Sequence, residues 1–231
     1  MTSKAPESHN PDMIQVQYED LAEKVYKALK EMILTSELTP GMKLVQENLS
    51  ERLGVSRTPI LAAFSKLEKE LLIELIPRRG AYVRKCALSE LYHFADIRIR
   101  LEPLGAREAA QEADDDGIAS LRTVFALYKE AVSTGDRSKI KESDYRFHME
   151  IVKLSKNFVL LQILSSFNIV VISNQRGLLK PPLQSLQEHE AIVNAIAAKD
   201  PDAAEKCMLD HLVDIRKGMT HPDLSDATTA T

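Results

Sequence analysis

"GVSRTPILAAFSKLEKELLIELIPRRGAYVR", residues 54–84, changes its periodicity once, and that change decides the architecture of the N-terminal part. The first half is helical: Ser56 or Thr58 opens a helix with Pro59 near its first position, and the run continues through "ILAAFSKLEKELL". The second half is strand-like, with Ile73, Leu75 and the Ala81-Tyr82-Val83 run on either side of the turn Pro77-Arg78-Arg79-Gly80. Working backwards, Gly54 reads as the left-handed cap of a short helix ending at Leu53. Lys43-Leu44-Val45 reads as a short strand, and Thr39-Pro40-Gly41 stops an earlier helix whose apolar positions are Leu21, Val25, Leu29 and Met32. Three helices followed by a hairpin with a basic tip predict a winged helix-turn-helix over residues 18–85. Residues 1–17, polar and aperiodic, are expected to form a disordered tail.

From Ser89 onward only helical periodicity is found, punctuated by Asp114-Asp115-Asp116-Gly117, Thr134-Gly135-Asp136, Pro181-Pro182 and Asp200-Pro201. The expected fold is therefore mainly α, with an all-α bundle over 86–220 and a flexible tail over 221–231. A chain of 231 residues with 44% hydrophobic content buries two cores without staples. Cys86 and Cys207 are far apart and lack a C-x-x-C spacing, which fits a reducing compartment. No apolar run approaches a membrane span and the polar start lacks the apolar core of a signal peptide, so a cytoplasmic location is expected.

The net charge of −4 argues against nucleic acid only until it is divided along the chain. Residues 52–85 hold 8 basic and 3 acidic side chains, whereas residues 86–231 hold 17 basic against 22 acidic. In a helix-turn-helix the second helix enters the major groove by its N-terminus. Here that end offers Arg57 for a guanine edge or a phosphate, and Ser56 and Thr58 for phosphates. Arg78, Arg79 and Gly80, at the hairpin tip, are placed to reach an adjacent groove.

"LTPGMKLVQENLSERLGVSRTP" followed by "LEKELLIELIPRRGAYV" resembles the N-terminal domain of GntR-family bacterial transcriptional regulators. The resemblance implies a dimeric repressor or activator on a near-palindromic double-stranded operator. Two positions depart from the family pattern. The arginine common after the proline is Leu61, and a glycine usual before the hairpin is Leu71, which is expected to require a different turn geometry.

In the bundle, "SDYRFHMEI" at 143–151 sets Asp144 and His148 one helical turn apart. Positions 140, 144, 147, 148 and 151 share one stripe with Ile140, Phe147 and Ile151, so both polar groups face inward. His189 shares a stripe with Leu186, Val193 and Ile196, and His211 with Ala204, Met208, Leu212 and Ile215; both are expected inside. His9 and His221 fall in the tails and His93 off its apolar face. Three inward imidazoles and one carboxylate suit a divalent transition-metal ion, zinc first, with nickel, manganese or iron as alternatives. Arg98 lies on the stripe of Leu91, Phe94 and Leu101; it is expected either to clamp a carboxylate effector or to pair with Glu102 or Asp144. No further inward glutamate is placed as a general base, which disfavours a metalloenzyme; a metal sensor is the other rival.

"R-x-x-LE" from Arg98 to Glu102, "D-x-x-FH" from Asp144 to His148, "S-x-N" from Ser155 to Asn157, "EHEAIVNAI" and "DHL" at 210–212 resemble the FCD effector-binding domain of the FadR subfamily. That resemblance implies metal ligation by Asp144, His148, His189 and His211, with a small organic acid bound beside the ion.

Overall fold

The computed structural model describes residues 15–166 and 180–218. The expected tails at 1–14 and 221–231, with His9 and His221, lie outside these residues. Residues 15–17, expected in the tail, instead form the first turn of α1 (Gln15–Leu34). The N-terminal module continues with β1 (Lys43–Leu44), α2 (Gln46–Leu53), α3 (Arg57–Lys69), β2 (Ile73–Ile76) and β3 (Gly80–Val83). Its sheet is antiparallel in the order β1-β3-β2, pairing Leu44 with Ala81 and Ile73 with Val83. Alternation on β3 turns Ala81 and Val83 into a core of Val25, Leu29, Ile60, Phe64, Leu67 and Leu72, which is how a two-residue period meets three helices in one module.

The punctuation residues act as expected. Pro40 and Gly41 form a type II turn closed by Met42 N–H to the Thr39 carbonyl (2.9 Å), with Gly41 at φ +85°, and Gly41 N–H donates to Val83 (2.8 Å). The expectation of a different geometry at Leu71 is corrected. Leu71 holds φ +60°, its N–H reaches the Glu68 carbonyl (3.0 Å), and Leu72 N–H reaches that of Leu67 (2.9 Å). This is a Schellman termination in which a leucine occupies the left-handed position that glycine takes without strain. The strain is offset by Leu72, fully buried directly after it.

The C-terminal part comprises α4 (Leu88–Glu112), α5 (Asp115–Thr134), α6 (Arg137–Leu154), α7 (Phe158–Ser166), α8 (Pro182–Ala197) and α9 (Pro201–Gly218). Its helix starts are written locally: Asp114 accepts from Gly117 N–H, Asp136 from Ser138 and Lys139, and Asp200 from Ala203. The "S-x-N" segment is a structural corner, where Asn157 Oδ1 caps α7 through Leu160 N–H and its amide donates to Glu108. α4 packs along α9, α5 along α6, and α8 crosses α4, α5 and α9, leaving the bundle axis to α4, α6, α8 and α9. Among the described residues no helix is long and apolar enough to cross a membrane.

The two modules touch through α6 and α1. Tyr145 packs against the N-terminal core, Arg146 pairs with Glu31 at 2.7 Å, and the Ser138 hydroxyl donates to the Thr35 carbonyl. α6 thus presents residue 144 to the bundle axis and residues 145 and 146 to the neighbouring module.

Candidate functional site

Four helices deliver seven polar side chains to the bundle axis. α4 brings Arg98 and Glu102, α6 brings Asp144 and His148, α8 brings Glu188 and His189, and α9 brings His211. Arg98, Glu102, His148, His189 and His211 are each at most 1% exposed. Asp144, at 14% side-chain exposure, is the least enclosed of the four expected ligands. His93 is exposed, as its off-stripe position predicted.

The ring nitrogens converge. His189 Nε2 faces His211 Nε2 at 3.3 Å, while Asp144 Oδ1 lies 3.6 Å from His189 Nε2 and 3.8 Å from His148 Nε2. Ligands about 2.0–2.1 Å from a tetrahedral ion sit about 3.3 Å apart, so these separations need to close by only a few tenths of an ångström around one ion. Phe147 stacks on His189 with ring centroids 4.1 Å apart, and Tyr128 closes its other side at 4.6 Å. His148 Nε2 is buried without a hydrogen-bond partner among the described residues. An imidazole nitrogen left so costs about 1–3 kcal/mol, a penalty that metal ligation removes. The donor set therefore fits a divalent ion.

Two carboxylates stand behind the rings, Glu102, read from the sequence only as a partner for Arg98, and Glu188, which the sequence reading missed. Glu102 Oε2 lies 2.6 Å from His148 Nδ1, and Glu188 Oε2 accepts from His211 Nδ1 at 2.6 Å. Each carboxylate is held in turn by a cation: Arg98 Nε donates to Glu102 at 2.5 Å, and Lys180 Nζ donates to Glu188 at 2.5 Å and to the His211 carbonyl at 3.2 Å. Two chains, Arg98–Glu102–His148 and Lys180–Glu188–His211, thus set a carboxylate behind each of two imidazoles: the Glu188–His211 hydrogen bond is the arrangement by which an outer carboxylate fixes a ligand's tautomer, and Glu102 meets His148 as a close contact at 2.6 Å. Glu102 is an inward glutamate with no exposed surface, yet it is not placed as a general base. It is engaged by Arg98 and His148 rather than held ready to take a proton. Of the two partners left open for Arg98, Glu102 is the one it meets.

The electrostatics favour ligation. Burial pushes the Glu102 carboxyl up, but Arg98 and His148 outweigh it and hold it at about 2; Glu188, where His211 and Lys180 oppose burial, also stands at about 2. Burial lowers His211 to about 4 despite Glu188, and burial with the neighbouring rings and cations holds His189 well below the usual histidine range. Near neutral pH both rings are neutral and keep the lone pair a metal needs.

A separate surface lies on the N-terminal module. Ser56, Arg57, Thr58, Arg78, Arg79 and Gly80 are all exposed. Ser56 caps α3 by its extended backbone with no side-chain cap bond, so its hydroxyl stays available, and Arg57 leans on Glu47 at 2.9 Å. At the hairpin tip Arg78 takes φ +64° as the third residue of a turn closed by Arg79 N–H to the Ile76 carbonyl.

Comparison with known proteins joins the two surfaces in one molecule. Residues 21–83 match the family described as bacterial regulatory proteins, gntR family, and residues 93–214 match the FCD domain. The HTH-type transcriptional repressor RspR of Escherichia coli K12 is 26% identical over 201 residues, covering 85% of this chain and 88% of that protein. The galactonate operon transcriptional repressor of the same organism is 28% identical over 215 residues, covering 81% and 91%. Among solved structures, a GntR transcriptional regulator of Rhodococcus sp. RHA1 aligns with a TM-score of 0.75 at 20% identity, covering 87% of this chain and 97% of that one. E. coli McbR/YncC aligns at 0.73 and 21%, covering 84% and 93%. A helix-turn-helix module with a basic wing, followed by a helical bundle with buried histidines, is thus the form of a DNA-binding transcription regulator rather than an enzyme, and this chain belongs to the GntR family, in its FCD-domain branch.

Proposed function

We propose that this chain is a ligand-responsive repressor whose bundle, residues 86–220, holds a divalent transition-metal ion on Asp144, His148, His189 and His211. In this reading a small organic acid docks beside the ion and against Arg98, and residues 18–85 grip DNA through Ser56, Arg57, Thr58, Arg78, Arg79 and Gly80. The observation that carries it is the convergence of three buried imidazoles and one carboxylate, two of the rings braced from behind by Glu102 and Glu188. Zinc is our first assignment, because nitrogen and oxygen donors at these separations suit it and its coordination can expand to five to take an oxygen of the acid. A dication with Asp144 and neutral rings leaves one net positive charge, which attracts a monoanion. When bound, the ion supplies a Lewis-acidic contact for that anion. The relative named for a galactonate operon accords with a hydroxy-acid effector.

A homodimer on a near-palindromic operator, in the cytoplasm, completes the proposal. Phe158, Val159 and Ile163 of α7, exposed at 79%, 51% and 38%, form an apolar face suited to a second copy. For release of DNA, the effector must bind the DNA-incompetent arrangement more tightly by a few kcal/mol. α6 is the element through which such a bias can pass, since it carries Asp144 and His148 on one side and Tyr145 and Arg146 against the DNA-binding module on the other.

The test is metal content of the purified protein, followed by binding to a selected operator before chelation, after chelation, and with added small acids. Operator binding that responds to acids only in the metal-loaded protein supports the reading; a protein that takes up no divalent ion refutes it. The Arg98–Glu102 pair favours a second reading, in which the ion is itself the signal, because the guanidinium already has a carboxylate partner. Chelation alone governing DNA binding, with no acid having any effect, would establish that alternative.

A further inference from the structure

The exposed residues of α3 are Arg57, Thr58, Leu61, Ala62, Ser65 and Lys69, a stripe at helical spacing opposite the buried Pro59, Ile60, Ala63, Phe64 and Leu67. Of these six exposed residues only Arg57 and Lys69, at the two ends of the helix, are charged. Leu61 is 49% exposed one turn beyond it, with Ala62 alongside, in the N-terminal half of the helix that a helix-turn-helix inserts into the major groove. A leucine gains nothing from phosphates, and the one apolar group on the floor of that groove is the C5-methyl of thymine.

We infer that Leu61 is a specificity-determining residue that reads a thymine methyl in each half-site, with Ala62 flanking the contact. The inference rests on α3 being the helix that enters the groove. One helical turn advances about 5.4 Å and one base pair about 3.4 Å, so the thymine lies about one or two base pairs from the step that Arg57 contacts. Arg57 supplies the polar or phosphate contact and Leu61 the apolar one, which makes this surface select a T·A pair where a charged side chain would select guanine.

The experiment begins by selecting duplexes from a randomised pool with the full-length protein. Each thymidine of the selected duplex is then replaced singly by deoxyuridine, which removes the methyl and leaves the pairing unchanged. Binding is measured for the wild type, Leu61→Ala and Leu61→Met. At one thymine per half-site, deoxyuridine should weaken the wild type about fourfold, the equivalent of withdrawing one methyl from an apolar contact. Leu61→Ala should bind the two duplexes alike, Leu61→Met should keep most of the discrimination, and selection with Leu61→Arg should replace that thymine by guanine. Folding of each variant is checked by its circular dichroism and melting temperature. Sequence-specific binding that ignores every methyl, or that loses the same amount in wild type and Leu61→Ala, overturns the inference while leaving α3 in the groove. Specific binding unaffected by Arg57→Ala overturns the underlying placement of α3 as well.

Discussion

Glu188→Gln isolates the bracing of one ligand from ligation itself. Glu188 Oε2 accepts from His211 Nδ1 at 2.6 Å and from Lys180 Nζ at 2.5 Å, and it touches neither Asp144 nor the inward nitrogens of the other rings in any described hydrogen bond or ion pair. Glutamine keeps the shape and can still accept the His211 N–H, so the tautomer with Nε2 inward survives. What is lost is the negative charge that makes the imidazole more basic and neutralises Lys180, whose side chain is 5% exposed. Loss of such an outer carboxylate lowers metal affinity about 10–100-fold, equivalent to about 1.4–2.7 kcal/mol. The cost to the metal-free fold is smaller than the ~3–5 kcal/mol of breaking a fully buried pair, because Glu188 retains 22% exposure. A competition titration of metal-free protein against a chromophoric chelator reads the affinity, and thermal unfolding of the same preparation reads the fold. Zinc affinity within twofold of wild type, in a variant of unchanged melting temperature, would refute the claim that the Lys180–Glu188–His211 chain tunes the site.

Other expectations follow from single contacts. His189→Ala removes a ring fully enclosed between Phe147 and Tyr128, and metal content by elemental analysis should fall to a small fraction of wild type. Arg57→Ala, at an exposed helix start, should weaken operator binding by at least the ~1–3 kcal/mol of one bidentate contact, with an unchanged melting temperature; unchanged affinity would remove Arg57 from the interface. Leu72→Ala should cost about 2–5 kcal/mol in a denaturant titration, as a fully buried leucine does, whereas Leu71→Gly should stay within about 1 kcal/mol of wild type because relief of φ +60° offsets the packing lost. Arg146→Glu, which sets two like charges together at Glu31, should leave metal and effector affinity intact while diminishing the effector-induced change in operator affinity.

The elements were legible because their causes are local. Asp114, Asp136 and Asp200 cap helices through N–H groups within three residues, and the stripe carrying Ile140, Phe147 and Ile151 needs only the helical period to turn Asp144 and His148 inward. The same periodicity placed His189, His211 and Arg98 inside, so the residues of the candidate site could be named before their partners. Glu102 also shows a local signal, one turn from Arg98 on α4, and that spacing encodes the ion pair with Arg98 but not the contact with His148.

Partnership is a different kind of information. Glu188 stands beside His189 in the chain but serves His211, 23 residues away on α9, and Lys180 reaches the same pair from before α8. No period or spacing encodes those meetings, because they depend on how α4, α6, α8 and α9 cross, and crossing is set by the packing of whole helix faces. Leu71 makes the same point in the backbone: propensity argues against a left-handed leucine, and the burial of Leu72 outweighs it. The amino-acid sequence by itself determined the helices, the wing and the inward set of imidazoles with Asp144 and Arg98. Tertiary structure alone decided which buried charge neutralises which, since in a low-dielectric interior each must find its partner in space rather than along the chain.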